Sequence, residues 1–99
     1  MQWVWTWGGI AFGYMNDNYL WAYDGRHVGR IQGNEIYGKN GEYLGEIKNE
    51  DRLITNISKK SYRSSGFAPC DCGGYARYAD YVGYAMYAGY EDFPKPEEL

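Results

Sequence analysis

Tyr23-Asp24-Gly25-Arg26-His27-Val28-Gly29-Arg30-Ile31 has an echo sixteen residues later, running from Asn40-Gly41 through Leu44 and Gly45 to Ile47. Sixteen residues earlier the same frame holds Gly8-Gly9, Phe12, Gly13 and Met15. Further positions keep step: Trp5, Trp21 and Tyr37, and next to them Val4, Leu20 and Ile36. A fixed internal period of this kind is the mark of a repeat architecture, in which one supersecondary unit recurs.

The unit reads as a β-hairpin. Asp-Gly and Asn-Gly between alternating apolar runs are hairpin signals, because a type I′ turn needs positive φ at both central residues. Taken as two-residue loops, the three pairs set Trp5 opposite Phe12, Trp21 opposite Val28 and Tyr37 opposite Leu44. One step along, Val4 faces Gly13, Leu20 faces Gly29 and Ile36 faces Gly45. Side chains alternate sides of a strand, so these sets occupy opposite faces. The aromatic face, flanked by Arg26, Arg30, Glu42 and Glu46, is expected to be partly wet. The face with Leu20, Gly29, Ile31, Ile36, Gly45 and Ile47 is expected to be buried. A glycine inside a strand marks a bulge or a close approach of backbone, so three in one phase predict hairpins crowded around a shared centre.

A fourth unit is eroded. Arg52 to Asn56 continues the phase, with Asn56 at the place of Asn40, but Ile57, Lys60 and Ser61 replace the turn glycine, the apolar residue and the strand glycine. Terminal repeats are commonly atypical. The expectation is a mainly β fold with four short hairpins in sixteen-residue repeats around a pseudo-fourfold axis.

These motifs resemble the bacterial domains described as four-fold β-flowers, over about residues 1–60. The resemblance implies four hairpin petals and, because that family is functionally uncharacterised, no reaction. The Gly-x-x-Val-Gly-x-Ile pattern is also similar, over fewer positions, to PRC-barrel domains.

The chain's 99 residues fit one domain. Hairpin repeats occupy residues 1–63, a linker 64–74, a tyrosine-rich element 75–90 and an acidic tail 91–99. In the third part Tyr75, Tyr78, Tyr81, Tyr84, Tyr87 and Tyr90 recur every third residue, each of the first five followed by alanine or valine. Four alanines, Arg77 and Met86 favour a helix over about 75–88, against Gly83 and Gly89. Such a helix would distribute its rings all round. It could pack on the aromatic face of the hairpins or form an interaction surface, since tyrosine is enriched at interfaces.

No signal sequence or membrane span is visible, and a net charge of −3 argues against a dedicated duplex-DNA binder. Two cysteines make no disulfide framework, so a reducing cytoplasmic setting is expected. Cys70-Asp71-Cys72 offers two thiolates, whereas a closed zinc site takes four ligands. No metal or cofactor is expected within one chain, and a metal shared between chains stays open. His27 is read as structural, since Ala11 and Tyr43 hold its place in the other repeats. No motif joins a nucleophile, a base and an orienting group, so no enzyme is expected. The expected role is a non-enzymatic interaction or assembly module that self-associates. Its contacts would come from Trp3, Trp5, Trp7, Trp21 and the tyrosines at 75, 78, 81, 84, 87 and 90. The alternatives are a small molecule or peptide held on the aromatic face, and weak single-stranded nucleic-acid binding through Lys59-Lys60-Ser61-Tyr62-Arg63.

Overall fold

Each repeat folds as the hairpin its turn residues dictate. In the first, Gly9 N–H donates to the Thr6 carbonyl and Thr6 N–H to the Ile10 carbonyl, both at 2.9 Å. Ala22, Gly25 and Arg26 repeat the pattern, as do Gly38, Gly41 and Glu42. Only the glycine of each pair takes a positive φ: +94° at Gly9, +93° at Gly25 and +84° at Gly41. The loops therefore hold three residues and end on a left-handed glycine, the next most common hairpin connection after the two-residue type I′. The computed structural model describes residues 1–99.

The strands are β1 (Gln2–Thr6), β2 (Ala11–Asn16), β3 (Tyr19–Ala22), β4 (His27–Gln32), β5 (Glu35–Tyr37), β6 (Tyr43–Lys48), β7 (Arg52–Asn56) and β8 (Tyr90–Asp92). Successive strands pair antiparallel from β1 to β7. Because seven is odd, β7 runs the same way as β1, and the barrel closes by a parallel pair that sets Trp5 opposite Arg52 and Thr6 opposite Leu53. This pair takes up only the Arg52–Leu53 half of the β7 edge. The other half of the same β7 edge pairs with β8, Ile54 opposite Asp92 and Asn56 opposite Tyr90. β7 and β8 make the fourth petal, with residues 57–89 in place of a tight turn.

Val4–Gly13, Leu20–Gly29 and Ile36–Gly45 are opposite one another as the repeat predicts. The neighbouring pairs differ. Trp5 faces Ala11, Trp21 faces His27 and Tyr37 faces Tyr43, each beside a register shift. Phe12, Val28 and Leu44 are the extra residues of three β-bulges, which turn a side chain to the other face. The three-residue loop and the bulge cancel, so the register beyond them matches that of a two-residue loop without a bulge. Phe12 and Leu44 thereby join Val4, Leu20, Ala22, Ile36, Leu53 and Phe93 in the barrel interior, with Val28, Met15, Ile31 and Ile47 packed against them. Each fully buried aliphatic or aromatic side chain here contributes roughly 1.5–3 kcal/mol. The strand glycine has a steric cause: a Cβ on Gly13 would collide with the backbone of Trp21 and Ala22 on the adjacent strand.

The fourth unit is out of phase by one. Ile47 faces Leu53, where Ile31 faces Ile36. The loop Asn49-Glu50-Asp51 is one residue longer than Gly33-Asn34, which puts Leu53, not Arg52, inside. Arg52 instead lies on the outer, aromatic face.

Residues 75–88 form no helix. The only helical turns are of the 3₁₀ type, at Ile57–Lys59 and Pro96–Glu98. Residues 62–87, named the strap below, run extended around the outside of the barrel, and no backbone hydrogen bond joins two strap residues. A period of three in an extended, internally unbonded chain is that of polyproline II, which keeps every third side chain on one side. The expected linker at 64–74 is the first half of this strap, and the acidic tail supplies β8 and then a plug. Phe93 enters the core, Pro96 is buried, and Arg26 donates to the carbonyls of Leu99 at 2.7 Å and Pro96 at 2.8 Å.

Candidate functional site

The outer face of the barrel is where the strap docks, and it docks by one repeated set of bonds. At the second petal, Trp21 Nε1–H donates to the Cys70 carbonyl (3.1 Å) and His27 N–H to the Asp71 carboxylate (2.9 Å). Cys72 N–H donates to the Gly25 carbonyl (2.7 Å) and Tyr75 N–H to the Tyr23 carbonyl (2.8 Å). At the first petal the same four bonds recur. Trp5 Nε1–H reaches Ala79 (2.9 Å), Ala11 N–H reaches Asp80 (2.9 Å), Tyr81 N–H reaches Gly9 (2.8 Å) and Tyr84 N–H reaches Trp7 (3.0 Å). Sixteen residues on the barrel correspond to nine on the strap, counted in the opposite direction.

The third petal keeps the backbone half of the clasp. Ser64 N–H donates to Gly41 (2.9 Å) and Phe67 N–H to Lys39 (3.0 Å). The carboxylate is missing there, because Arg63 stands at the place of Asp71 and Asp80. The Tyr62 carbonyl accepts from Tyr43 N–H instead, at 3.3 Å. The bulge explains the carboxylates: it leaves the amides of Ala11 and His27 outside the ladder, and an unpaired buried N–H requires a partner.

Each clasp also places a glycine of the turn against the strap backbone and a glycine of the strap against the turn backbone. A Cβ on Gly9 or Gly25 would strike the carbonyl of Tyr81 or Cys72, and one on Gly83 or Gly74 would press on the backbone of Gly8 or Asp24. Gly41 and Gly66 repeat this at the third petal.

Aromatic stacking fills the space between the clasps. Trp3 stacks on Tyr78 with centroids 4.3 Å apart, Trp5 on Tyr81 at 3.8 Å, and Trp7 lies against Tyr84 and Tyr87 at 4.8 and 5.3 Å. Tyr75 meets the Tyr14 ring edge-on at 5.0 Å. Arg52 fastens the strap over the barrel seam. Its guanidinium lies 4.2 Å over the Tyr84 ring and donates to the carbonyls of Trp7 (3.3 Å) and Val82 (3.0 Å).

The strap's entry is pinned by charge. Lys59 Nζ donates to Glu35 at 2.9 Å and Glu46 at 3.2 Å, and these carboxylates accept from the hydroxyls of Tyr37 (2.8 Å) and Tyr43 (2.9 Å). The Lys59 hydrogen bond holds the Glu35 carboxyl below its ordinary range. Burial, with help from Glu35, pushes the Tyr37 phenol up to about 12. Burial pushes Tyr43 up as well.

His27 is sandwiched between Trp21 (4.9 Å) and Phe67 (4.3 Å), and its Nδ1 accepts from Cys70 N–H at 2.9 Å. Burial lowers its pKa. The ring therefore acts as a neutral acceptor for the strap.

The proposed contact residues divide into two groups. Trp3, Trp5, Trp7 and Trp21 are 2–8 % exposed, so the aromatic face expected to be partly wet is covered. Tyr75, Tyr78, Tyr81, Tyr84 and Tyr87 remain 47–52 % exposed, in company with Val82 at 86 % and Met86 at 44 %. Tyr90 is half-buried in β8 against Tyr87. Of the basic segment, Lys59 is held by its two carboxylates and Lys60 pairs with Glu91. Cys70 and Cys72 are free and exposed, and no group of three potential metal ligands comes together. Three hollows of the surface measure about 370 to 440 Å³; none is lined by a tryptophan, and one borders the second clasp through His27 and Asp71. No helix is long and apolar enough to cross a membrane.

Asp71, Asp80, Gly74 and Gly83 carry the docking, a role that the sequence reading assigns to none of them. Their signal is present there: Asp71-Cys72-Gly73-Gly74-Tyr75 and Asp80-Tyr81-Val82-Gly83-Tyr84 share the form Asp-x-x-Gly-Tyr.

A family model described as 4-fold beta flower protein matches residues 1–69, and the chain belongs to that family. The matched span holds β1 to β7 and the clasp on the third petal; the other two clasps and β8 lie beyond it. No curated protein and no solved structure matches the chain.

Proposed function

We propose that this β-flower is a non-enzymatic interaction module that assembles with further copies of itself through the outer side of its strap. One observation carries the reading: five tyrosines on one side of an extended segment, each about half exposed, with Val82 and Met86 among them. Four of the rings are fixed from beneath by tryptophans and Tyr75 by Tyr14, so little side-chain freedom is left to lose on contact, and tyrosine and tryptophan are the residues on which interface energy concentrates. Arg77 and Asp80 place both signs of charge in the same stretch, 39 % and 48 % exposed at the side chain, which suits a surface meeting its own copy. A reducing compartment such as the cytoplasm is compatible with the free thiols of Cys70 and Cys72.

Light scattering over a concentration series tests this. The expected result is a species heavier than the 11.4 kDa chain that dissociates on dilution. Val82→Lys, at a side chain that supports nothing beneath it, should move the midpoint to at least about tenfold higher concentration, equivalent to about 1.4 kcal/mol, without changing thermal stability. A strict monomer at millimolar concentration defeats the proposal.

A further inference from the structure

The strap is bound as a foreign peptide would be. It has no backbone hydrogen bonds of its own, runs extended, and is read by the same set of groups on the first and second petals. The petal offers a bulge amide for a carboxylate, an indole N–H for a carbonyl, two loop carbonyls for backbone amides, and a glycine loop that only a glycine can pass. Two petals read the same five-residue form, nine residues apart, at Asp71 to Tyr75 and Asp80 to Tyr84.

We propose that the outer face of the first and second petals is a recognition groove for extended Asp-x-x-Gly-Tyr segments. In this structure the chain's own strap fills it, and the segment it accepts in trans is the strap of a second copy. This goes beyond the reading of the chain as a self-assembling module: to contact through the outer side of the strap it adds exchange of the strap's inner side between copies. The strap joins the barrel through Lys60 and Ser61 at one end and through Ala88 and Gly89, before β8, at the other, all exposed, and the six backbone bonds from strap amides to the petals span long stretches of sequence. None depends on the two partners belonging to one chain.

A tethered segment competes at an effective concentration of order millimolar. The unmodified protein is therefore expected to bind added peptide weakly, and variants with a loosened strap to bind it well. The probe is a fluorescein-labelled synthetic peptide of residues 70–84 under reducing conditions, titrated by anisotropy into the full chain. The hosts are the unmodified chain, Asp71→Ala with Asp80→Ala, and Gly74→Ala with Gly83→Ala. Both double variants should bind the peptide at least about tenfold more tightly than the unmodified chain, in proportion to the fraction of open groove. A control peptide with those four residues changed to alanine should lose at least about tenfold.

A folded double variant that fails to bind, or that binds both peptides alike, overturns the proposal. Should neither variant fold, hydrogen exchange on the unmodified chain decides. The amides of Cys72, Tyr75, Tyr81 and Tyr84 should open together while Ala22 and Tyr23 in the barrel stay protected. Exchange of both sets in one global step overturns the proposal. Peptide binding by a chain that stays monomeric would remove the assembly reading and leave the groove.

Discussion

The indole of Trp5 and the phenol ring of Tyr81 lie 12° from parallel with centroids 3.8 Å apart, and the Trp5 N–H is bonded to the Ala79 carbonyl two residues before that tyrosine. Stacking and hydrogen bonding are thus separable at one residue. Trp5→Phe keeps a ring under Tyr81 and removes the donor, and because Ala79 is exposed its carbonyl can turn to water. The expected loss is about 1 kcal/mol. Trp5→Ala removes the ring as well and should lose about 3–5 kcal/mol. Urea unfolding of the two variants checks the gap; equal losses would refute it.

Gly25 and Gly33 both have positive φ, at +93° and +64°. A Cβ on Gly33 meets nothing within 4 Å, whereas one on Gly25 runs into the Cys72 carbonyl. Gly33→Ala should therefore carry only backbone strain, about 1–2 kcal/mol. Gly25→Ala should add displacement of the strap, for a total at least about 1 kcal/mol larger. Tyr75 amide exchange should accelerate in Gly25→Ala alone.

Lys59 sets the acid end of the pH profile, and the burial of Tyr37 sets the alkaline end. Glu35 is held below its ordinary 4.5 by the Lys59 hydrogen bond. Its contribution is present above about pH 4.5 and is lost as pH falls through the lower folded value. At the alkaline end, an unfolded tyrosine ionises near 10 while Tyr37 keeps its proton to about 12, so stability falls between those values. Lys59→Met should flatten the acid limb and leave Glu35 and Glu46 without their shared cation. Denaturant midpoints at pH 4, 7 and 10.5 in both proteins test this, and an unchanged acid limb would count against the Lys59 bond.

His27 predicts a separate slope. Burial lowers its folded pKa below the ordinary 6.5, so on acidification the unfolded chain takes up the proton first. Stability is then complete above about pH 6.5 and declines as pH drops towards the folded value. Protonation at Nδ1 would also break the bond from Cys70 N–H, so the strap around Cys70 should loosen before the barrel does. His27→Gln should remove the slope between pH about 7 and 5; persistence of the slope would place its origin elsewhere.

The barrel was legible because its determinants are local. Asp24-Gly25 and Asn40-Gly41 specify turns wherever they occur, and the opposition of Leu20 and Gly29 follows from the repeat. The bulges at Phe12, Val28 and Leu44 escaped detection because a longer loop and an extra residue offset each other, leaving Val4, Leu20 and Ile36 with the same partners. The tyrosine ladder is extended where its alanines favour a helix, because alanine propensity is a weak prior that tertiary contacts override. What holds it extended is bonding to the carbonyls of Trp7, Gly9 and Tyr23, far away in the sequence, and pattern within the ladder does not report them. The repeated Asp-x-x-Gly-Tyr form is present in the sequence, but its meaning depends on bulge amides that an unbulged register does not contain.

The fourth petal carries a consequence for the order in which the molecule forms. β7 shares its outer edge between β1 and β8, and the two meet it from opposite extremes of the chain. During synthesis, strands β1 to β7 emerge and can pair while the Ile54–Asn56 half of that edge is still bare. Contacts of such sequence separation form slowly, and an unpaired edge is a template for pairing with other chains. The interval before Tyr90–Asp92 arrives is the stage at which nascent chains are most exposed to one another, and its length sets how much of the product folds alone.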